Sequence, residues 1–217
     1  MLKLGEKGAI PQNDNETYAI APHIPCGIVT PDLLRKIADV SERYNAKAIK
    51  LTGATRMAIV GLKEEDIDRA WEDLGLEKGA AVGMCVRSIR TCPGTTFCKL
   101  GKQDAIGIGM KLDERYHALE LPGKFKMAVS GCKLSCSESW VRDVGLIGFP
   151  EGWTLTIGGN VGMLPRIGKE LVTGLDDDQA MAAVDKVVQF YIDTAKRGER
   201  LGKMIERIGL EPFKEAL

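Results

Sequence analysis

Residues 92–104 read CPGTTFCKLGKQD and residues 128–140 read AVSGCKLSCSESW. Four of the six cysteines of this 217-residue chain fall in these two stretches. Five residues separate Cys92 from Cys98, and three separate Cys132 from Cys136. Four thiolates on two loops can complete either a tetrahedral zinc site or a cubane iron–sulfur cluster. The five-residue gap is wide for a zinc knuckle, and the surrounding glycines and hydroxyls suit backbone N–H donation to cluster sulfurs, which favours the cluster. Zinc stays open at this point, as do buried structural thiols. Cys26 and Cys85 stand alone in apolar surroundings and read as core residues.

Working outward, MCVRSIR before the first pair and KFKMAVSG before the second read as strands, as do DVGLIGFP and EGWTLTIGG after it. Residues 99–117 read as a helix weakened by Gly107 and Gly109, and residues 176–198, opening on three aspartates, as a long amphipathic one. Residues 199–213 supply a last helix and tail. Upstream, Thr30 and Pro31 open a helix over TPDLLRKIADVSERYN, AKAIKLTG and TRMAIVGL read as strands about a turn at Gly53, and KEEDIDRAWEDLG as a helix stopped by Gly75. With CGIV as a further short strand, this gives a small β-α-β-β-α unit. The expected organisation is an N-terminal arm over residues 1–23, a half-domain over 24–78 and a cysteine-bearing domain over 79–217. No internal repeat or low-complexity segment is present.

A hydrophobic content of 44% supports a real core. Thirty basic residues balance thirty acidic ones, so no global field favours nucleic acid or an anionic membrane, and no apolar run is long enough to span a bilayer. The expectation is a cytoplasmic protein without nucleic-acid or membrane partners. Locally the balance breaks. Arg87 and Arg90 precede Cys92, Lys99 and Lys102 follow Cys98, and Lys124 and Lys126 share one face of the strand leading to Cys132. Two ammonium groups on one face repel unless solvent or an anion lies between them, and with the arginines and cysteines nearby an anionic substrate or cofactor is the better reading. Arg56, read as mid-strand among small residues, is an exposed arginine by default or one reaching into a pocket.

Four stretches together, TGATRMAIVGL, VRSIRTCPGTTFCKLGKQDAIGIG, LPGKFKMAVSGCKLSCSESWVRDVGLIGF and GWTLTIGGNVG, resemble the siroheme-dependent sulfite and nitrite reductases over most of the chain. The length is similar to that of the small single-module assimilatory-type sulfite reductases. The resemblance implies an α+β fold: a ferredoxin-like half-module plus a siroheme and iron–sulfur module of mixed sheet and helices. It implies two cofactors, siroheme and a [4Fe-4S] cluster, with Cys92, Cys98, Cys132 and Cys136 on the cluster and Cys136 shared with the siroheme iron. It casts Arg56, Arg87, Lys124 and Lys126 as the basic residues that bind the oxyanion and deliver protons. Arg90, Lys99, Lys102, Arg142, Thr95, Thr96, Gly158, Gly159 and Asn160 are candidates for holding the siroheme carboxylates.

The implied activity is six-electron reduction of sulfite to sulfide. Nitrite reduction, or siroheme-based electron transfer on the same scaffold, is the alternative, and a zinc-binding module without catalysis the remote one. Lys133, Leu134 and Ser135 replace a proline and an asparagine that many relatives carry within the second pair. No strand followed by G-x-G-x-x-G is present, so electrons are expected from a separate donor protein. A single module leaves a sheet edge and a cofactor face to cover, which implies a homo-oligomer, most simply a homodimer, or a more open siroheme pocket in a monomer. The purified protein is expected to contain iron and acid-labile sulfide and to show tetrapyrrole bands, with Cys136→Ser altering that spectrum; a colourless zinc protein would contradict the reading.

Overall fold

The computed structural model describes residues 1–217 throughout, in two compact units, Met1–Gly83 and Met84–Leu217. The first is a four-stranded antiparallel sheet in the order β1-β2-β4-β3, formed by β1 (Ala9–Pro11), β2 (Tyr18–Ile20), β3 (Ala48–Leu51) and β4 (Met57–Leu62). Its helices are α1 (Pro31–Arg43) and α2 (Ile67–Leu74). Thr30 caps α1 by accepting from the Leu33 N–H at 3.2 Å, with Pro31 in the first turn, and Gly75 ends α2 at φ 56°. Ile37 and Val40 of α1 and Ile67, Ala70, Trp71 and Leu74 of α2 join Ile20, Ile59 and Leu62 of the sheet in one apolar core.

Two expectations are corrected here. Residues 1–23 are not an arm: they supply β1 and β2, bury Ala9, Tyr18 and Ile20, and are tied down where the Trp71 indole donates to the Lys7 carbonyl at 2.9 Å. The first unit therefore runs to Gly83 rather than over 24–78, as β-β-α-β-β-α. Three-residue strands are too short to show alternation, and Pro11 at the end of an edge strand reads as a breaker. Residues 26–29 do not form a strand either. Pro25–Gly27 is a 3-10 turn with Cys26 at φ 52°.

The second unit is a five-stranded mixed sheet in the order β5-β6-β7-β8-β9. Its strands are β5 (Val86–Thr91), β6 (Phe125–Ser130), β7 (Val144–Phe149), β8 (Gly152–Ile157) and β9 (Lys169–Leu175). β5, β6 and β7 are parallel, and β7, β8 and β9 antiparallel. β9 falls outside the strands legible in the sequence, because its mostly exposed KELVTGL lacks an apolar alternation. A four-residue helix, α3 (Gly94–Phe97), sits within the first cysteine stretch, and α4 (Ala105–Tyr116) makes the crossover from β5 to β6. α4 starts at Ala105 rather than at residue 99, because Asp104 caps it by accepting from the Gly107 N–H at 3.0 Å.

α5 (Asp177–Thr194) opens with a reciprocal capping box between Asp176 and Gln179, and α6 (Leu201–Ile208) and α7 (Glu211–Glu215) close the chain. No helix is long and apolar enough to cross a membrane. Ile20→Ala is expected to cost about 2–5 kcal/mol, as for other buried aliphatic truncations. Chemical denaturation followed by circular dichroism checks it; an arm residue would cost almost nothing.

Candidate functional site

β5 and β6 run side by side, and each cysteine stretch leaves the carboxyl end of one of them. The Cys92 N–H donates to the Val129 carbonyl at 3.1 Å, while the Lys102 and Gln103 N–H groups donate to the Gly131 carbonyl at 2.7 and 3.1 Å. Both loops thus meet at one end of the sheet. Gly94 and Gly131 allow that approach, since a Cβ on Gly131 would stand 2.7 Å from the Gly94 Cα. The Gly131 N–H donates to Cys92 Sγ at 3.1 Å, a backbone donor aimed at a sulfur across the two pairs. Cys92, Cys98 and Cys132 are half-buried and Cys136 is exposed. As folded, no group of three or more His, Cys, Asp or Glu side chains is poised to hold a metal ion. A cavity of about 560 Å³ flanks Cys132, lined by Leu100, Lys102, Leu134, Phe149 and Pro150 among others.

The second loop has to return from the end of β6 to the start of β7, its parallel neighbour, and does so with no helix but a 3-10 turn, Ser139–Val141. It lies along the sheet. The Ser130 hydroxyl bonds to those of Ser137 at 2.6 Å and Ser139 at 2.8 Å, and a Cβ on Gly145 of β7 would fall 2.3 Å from the Ser139 carbonyl oxygen. Alternation puts Lys124, Lys126, Ala128 and Ser130 on this loop-bearing face, with Phe125, Met127 and Val129 on the other. Phe125 is fully buried there, 5.2 Å ring to ring from Tyr191 of α5.

The expected cations gather at the opposite, amino ends of the same strands. Arg87 sits where the β5–β6 register slips, Val86 pairing with Phe125 but Ile89 with Met127. This bulge places Arg87 and Ser88 opposite Lys126, and bulges commonly re-aim side chains beside functional sites. Sequence periodicity cannot show such a slip. Burial first, then Lys124, Arg142, Arg200 and Arg87, push Lys126 down to about 8. Lys124 is lowered by burial, Arg87 and Arg200, against a smaller opposing effect of Asp143. Arg87 is lowered by burial and by Arg200, with Cys85 opposing.

Arg200 and Asp143 lie outside the cations and site residues that the sequence singles out. Asp143, wholly buried, accepts the Lys126 N–H at 2.8 Å and both Nε and Nη2 of Arg200, Nε at 3.1 Å. Burial raises Asp143 above the usual carboxylate range, and Arg200 and the Lys126 N–H oppose that. Asp143 opens the DVG strand motif, and a charged residue entering an apolar strand was the available signal. Arg200 carried none.

Arg90 and Arg142 lie beside the second loop, both bonded to Glu138, which stands two residues past Cys136 at φ 63°. Burial tends to raise Glu138, but the Arg90 hydrogen bond and the two positive charges leave it below the ordinary glutamate value. The Nε atoms of Arg90 and Arg142 are buried without a hydrogen-bond partner, and Arg142 is lowered by burial and by Arg90.

The remaining candidates are less converged. Thr95, Thr96, Lys99 and Lys102 are exposed on the first loop, where Thr96 donates to Asp104 at 3.0 Å. Gly158 donates to the Asp143 carbonyl at 2.8 Å, and Gly159 packs on the backbone of Trp140 and Arg142. Asn160 donates to the Leu164 carbonyl at 2.9 Å. This turn therefore backs Arg142 and Asp143 and anchors residues 161–167, where Val161, Met163, Leu164 and Ile167 are exposed. Arg56 belongs to the first unit. It is not mid-strand but ends the turn before β4, buried against Gly79.

Paired thiols on two glycine-lined loops that meet at one end of the sheet, with cations clustered at the other, point to the class of cluster- or metal-binding proteins. Residues 82–217 match the nitrite and sulphite reductase 4Fe-4S domain and residues 10–76 the nitrite/sulfite reductase ferredoxin-like half domain, and the chain belongs to this nitrite and sulfite reductase family. It is 44% identical to the assimilatory-type sulfite reductase of Nitratidesulfovibrio vulgaris over 97% of both chains. It is 37% identical to the nitrite reductase [NAD(P)H] of Bacillus subtilis over 93% of this chain, which spans only 25% of that enzyme. Dissimilatory sulfite reductase I superposes with a TM-score of 0.82 at 14% identity, covering 92% of this chain and 68% of the other. The Mycobacterium tuberculosis NirA protein gives 0.80 at 21%, covering 94% and 41%. These last two likenesses concern the fold.

The residues suit the family's cofactors, siroheme and a [4Fe-4S] cluster. Four thiols with a backbone N–H on one sulfur suit the cluster. Buried guanidinium nitrogens without partners beside an exposed thiol, with an apolar loop nearby, suit a carboxylate-bearing tetrapyrrole. Lys126 is depressed in the folded state, so between about pH 8 and its unfolded value near 10.5 the unfolded chain holds the extra proton and stability rises with pH. Lys126→Met should remove that rise and stabilise the protein at pH 7 by on the order of 1 kcal/mol, read from thermal melts across pH.

Proposed function

We propose that this protein is a sulfite reductase, taking sulfite to sulfide by six electrons. The observation that carries the reading is Lys126, half-buried and depressed to about 8, on the sheet face crossed by the loop that bears Cys136. The similarity to an assimilatory-type sulfite reductase along nearly its whole length supports the choice of sulfite over nitrite. Cys92, Cys98, Cys132 and Cys136 would hold the cluster, with Cys136 the thiolate shared with siroheme. When bound, the two groups supply electrons one at a time, a capacity no side chain has.

The chain's own residues then answer for charge and protons. Arg87, Lys124 and Lys126 lower the free energy of a bound dianion, increasingly so as water is excluded. Arg56, on the first unit, is proposed for the same role. A lysine near 8 gives up a proton at neutral pH more readily than one at 10.5 and is refilled from solvent, which suits Lys126 to protonating the oxygens that leave as water. Arg90 and Arg142 are proposed to meet the siroheme carboxylates, with Thr95, Thr96, Lys99, Lys102 and the turn Gly158, Gly159, Asn160 as further contacts. Electrons are taken to arrive from a separate donor protein in the cytoplasm.

Nitrite is the second reading, supported by the 37% identity to a nitrite reductase. Pairing of two copies is proposed at the β3 edge, whose residues are all exposed; sedimentation velocity is expected to show a dimer. Turnover with a chemical reductant is expected to give a higher kcat/KM for sulfite than for nitrite, and the reverse order would transfer the assignment. Lys126→Met should lower kcat with sulfite by roughly 10²-fold, and the native rate should fall as pH rises through about 8.

A further inference from the structure

We infer that Arg200, anchored by Asp143, is a positioning residue of the oxyanion site: it belongs to the C-terminal part of the chain, yet it fixes the strand that carries Lys126 and adds its charge to that group. The inference rests on the site proposed above and extends it to a residue outside the four expected cations.

The geometry is a short chain of bonds. Arg200 immediately precedes α6 and grips Asp143 through two guanidinium nitrogens, and the same carboxylate takes the Lys126 backbone N–H at 2.8 Å. Upstream, the segment carrying Arg200 is mounted on the turn that enters β6. The Gly198 N–H donates to the Pro122 carbonyl at 2.6 Å, and a Cβ on Gly123 would stand 2.6 Å from the Glu199 carbonyl oxygen. That oxygen also accepts the Tyr191 hydroxyl, and the Glu199 carboxylate is held by Arg207 through two bonds of 2.8 Å. The segment is thus braced on both sides. The Arg200 side chain, 22% exposed, is held against the sheet by its two bonds to Asp143.

The charged groups facing Lys126 are Arg87 from β5, Lys124 from β6, Arg142 and Asp143 from the end of the second cysteine loop, and Arg200 from the entry to α6. Arg200 is the one cation among them that depresses Arg87, Lys124 and Lys126 alike. Asp143 neutralises part of its charge and opposes the depression of Lys124. An anchor acting through charge therefore predicts opposite effects for the two partners: loss of Arg200 relaxes Lys126 upward, and loss of the Asp143 charge does not.

The test is the pH dependence of reductive methylation at Lys126, read by mass spectrometry on the purified holoenzyme. Native protein should show a midpoint near 8. Arg200→Met should move it up toward the ordinary lysine value, Arg200→Lys should keep it near the native position, and Asp143→Asn should leave it unchanged or lower it. A native-like midpoint in Arg200→Met, equal upward shifts in Arg200→Met and Arg200→Lys, or an upward shift in Asp143→Asn would each overturn the inference. If Asp143→Asn does not fold, the two Arg200 variants still decide, because only a charge effect distinguishes methionine from lysine. The readout needs no turnover, so it fails or holds independently of whether sulfite is the substrate.

Discussion

Two parallel strands joined without a helix impose the constraint from which the site follows. A connection from the carboxyl end of β6 to the amino end of β7 must travel the length of the sheet, and parallel strands usually achieve this with a helical crossover. Here the return is the second cysteine loop itself. It is laid on the sheet face, bonded through Ser130, Ser137 and Ser139 and accommodated by the missing side chain of Gly145. A thiol-bearing loop is thereby placed on the face that carries Lys124 and Lys126. Thiols leave one end of the sheet, cations fill the other, and the loop spans the distance between them.

The cation group is an electrostatic liability that the rest of the unit holds in place. Burial and Arg200 lower Lys126, Lys124 and Arg87 alike; Arg87 adds to the lowering of both lysines and Lys124 to that of Lys126. Asp143 is the buried charge that opposes the depression of Lys124, and Arg200 pairs with it. The net effect is a site biased toward an anion and containing a lysine ready to lose its proton. Overall composition hides this, because equal numbers of acids and bases cancel across the chain while the separation of charge is local.

A second ionic device sits beside the cysteine loop. Glu138 is held by Arg90 from β5 and by Arg142 four residues further along its own loop, so β5 and the second cysteine loop are cross-braced two residues from Cys136. The braced residues retain buried Nε donors without partners. A fold rarely leaves such donors unmet, and their location is consistent with ligand carboxylates in a family whose members carry a substituted tetrapyrrole.

The paired cysteines, the alternation of Lys124 and Lys126 with Phe125 and Met127, the capped helices α1, α2 and α5 and the strands of the second unit's centre were legible in the sequence, because each depends on neighbours a few residues away. Family resemblance added the cofactors. The strands β1 and β2 escaped because they are too short to show a period, and β9 because its exposed edge needs none. The bulge that turns Arg87 toward Lys126, the grip of Arg200 on Asp143 and the clamp on Glu138 required the folded chain. Arg87 and Lys126 lie 39 positions apart, Arg90 and Glu138 48, and Arg200 and Asp143 57, separations at which local pattern holds no information and only packing decides which charges meet.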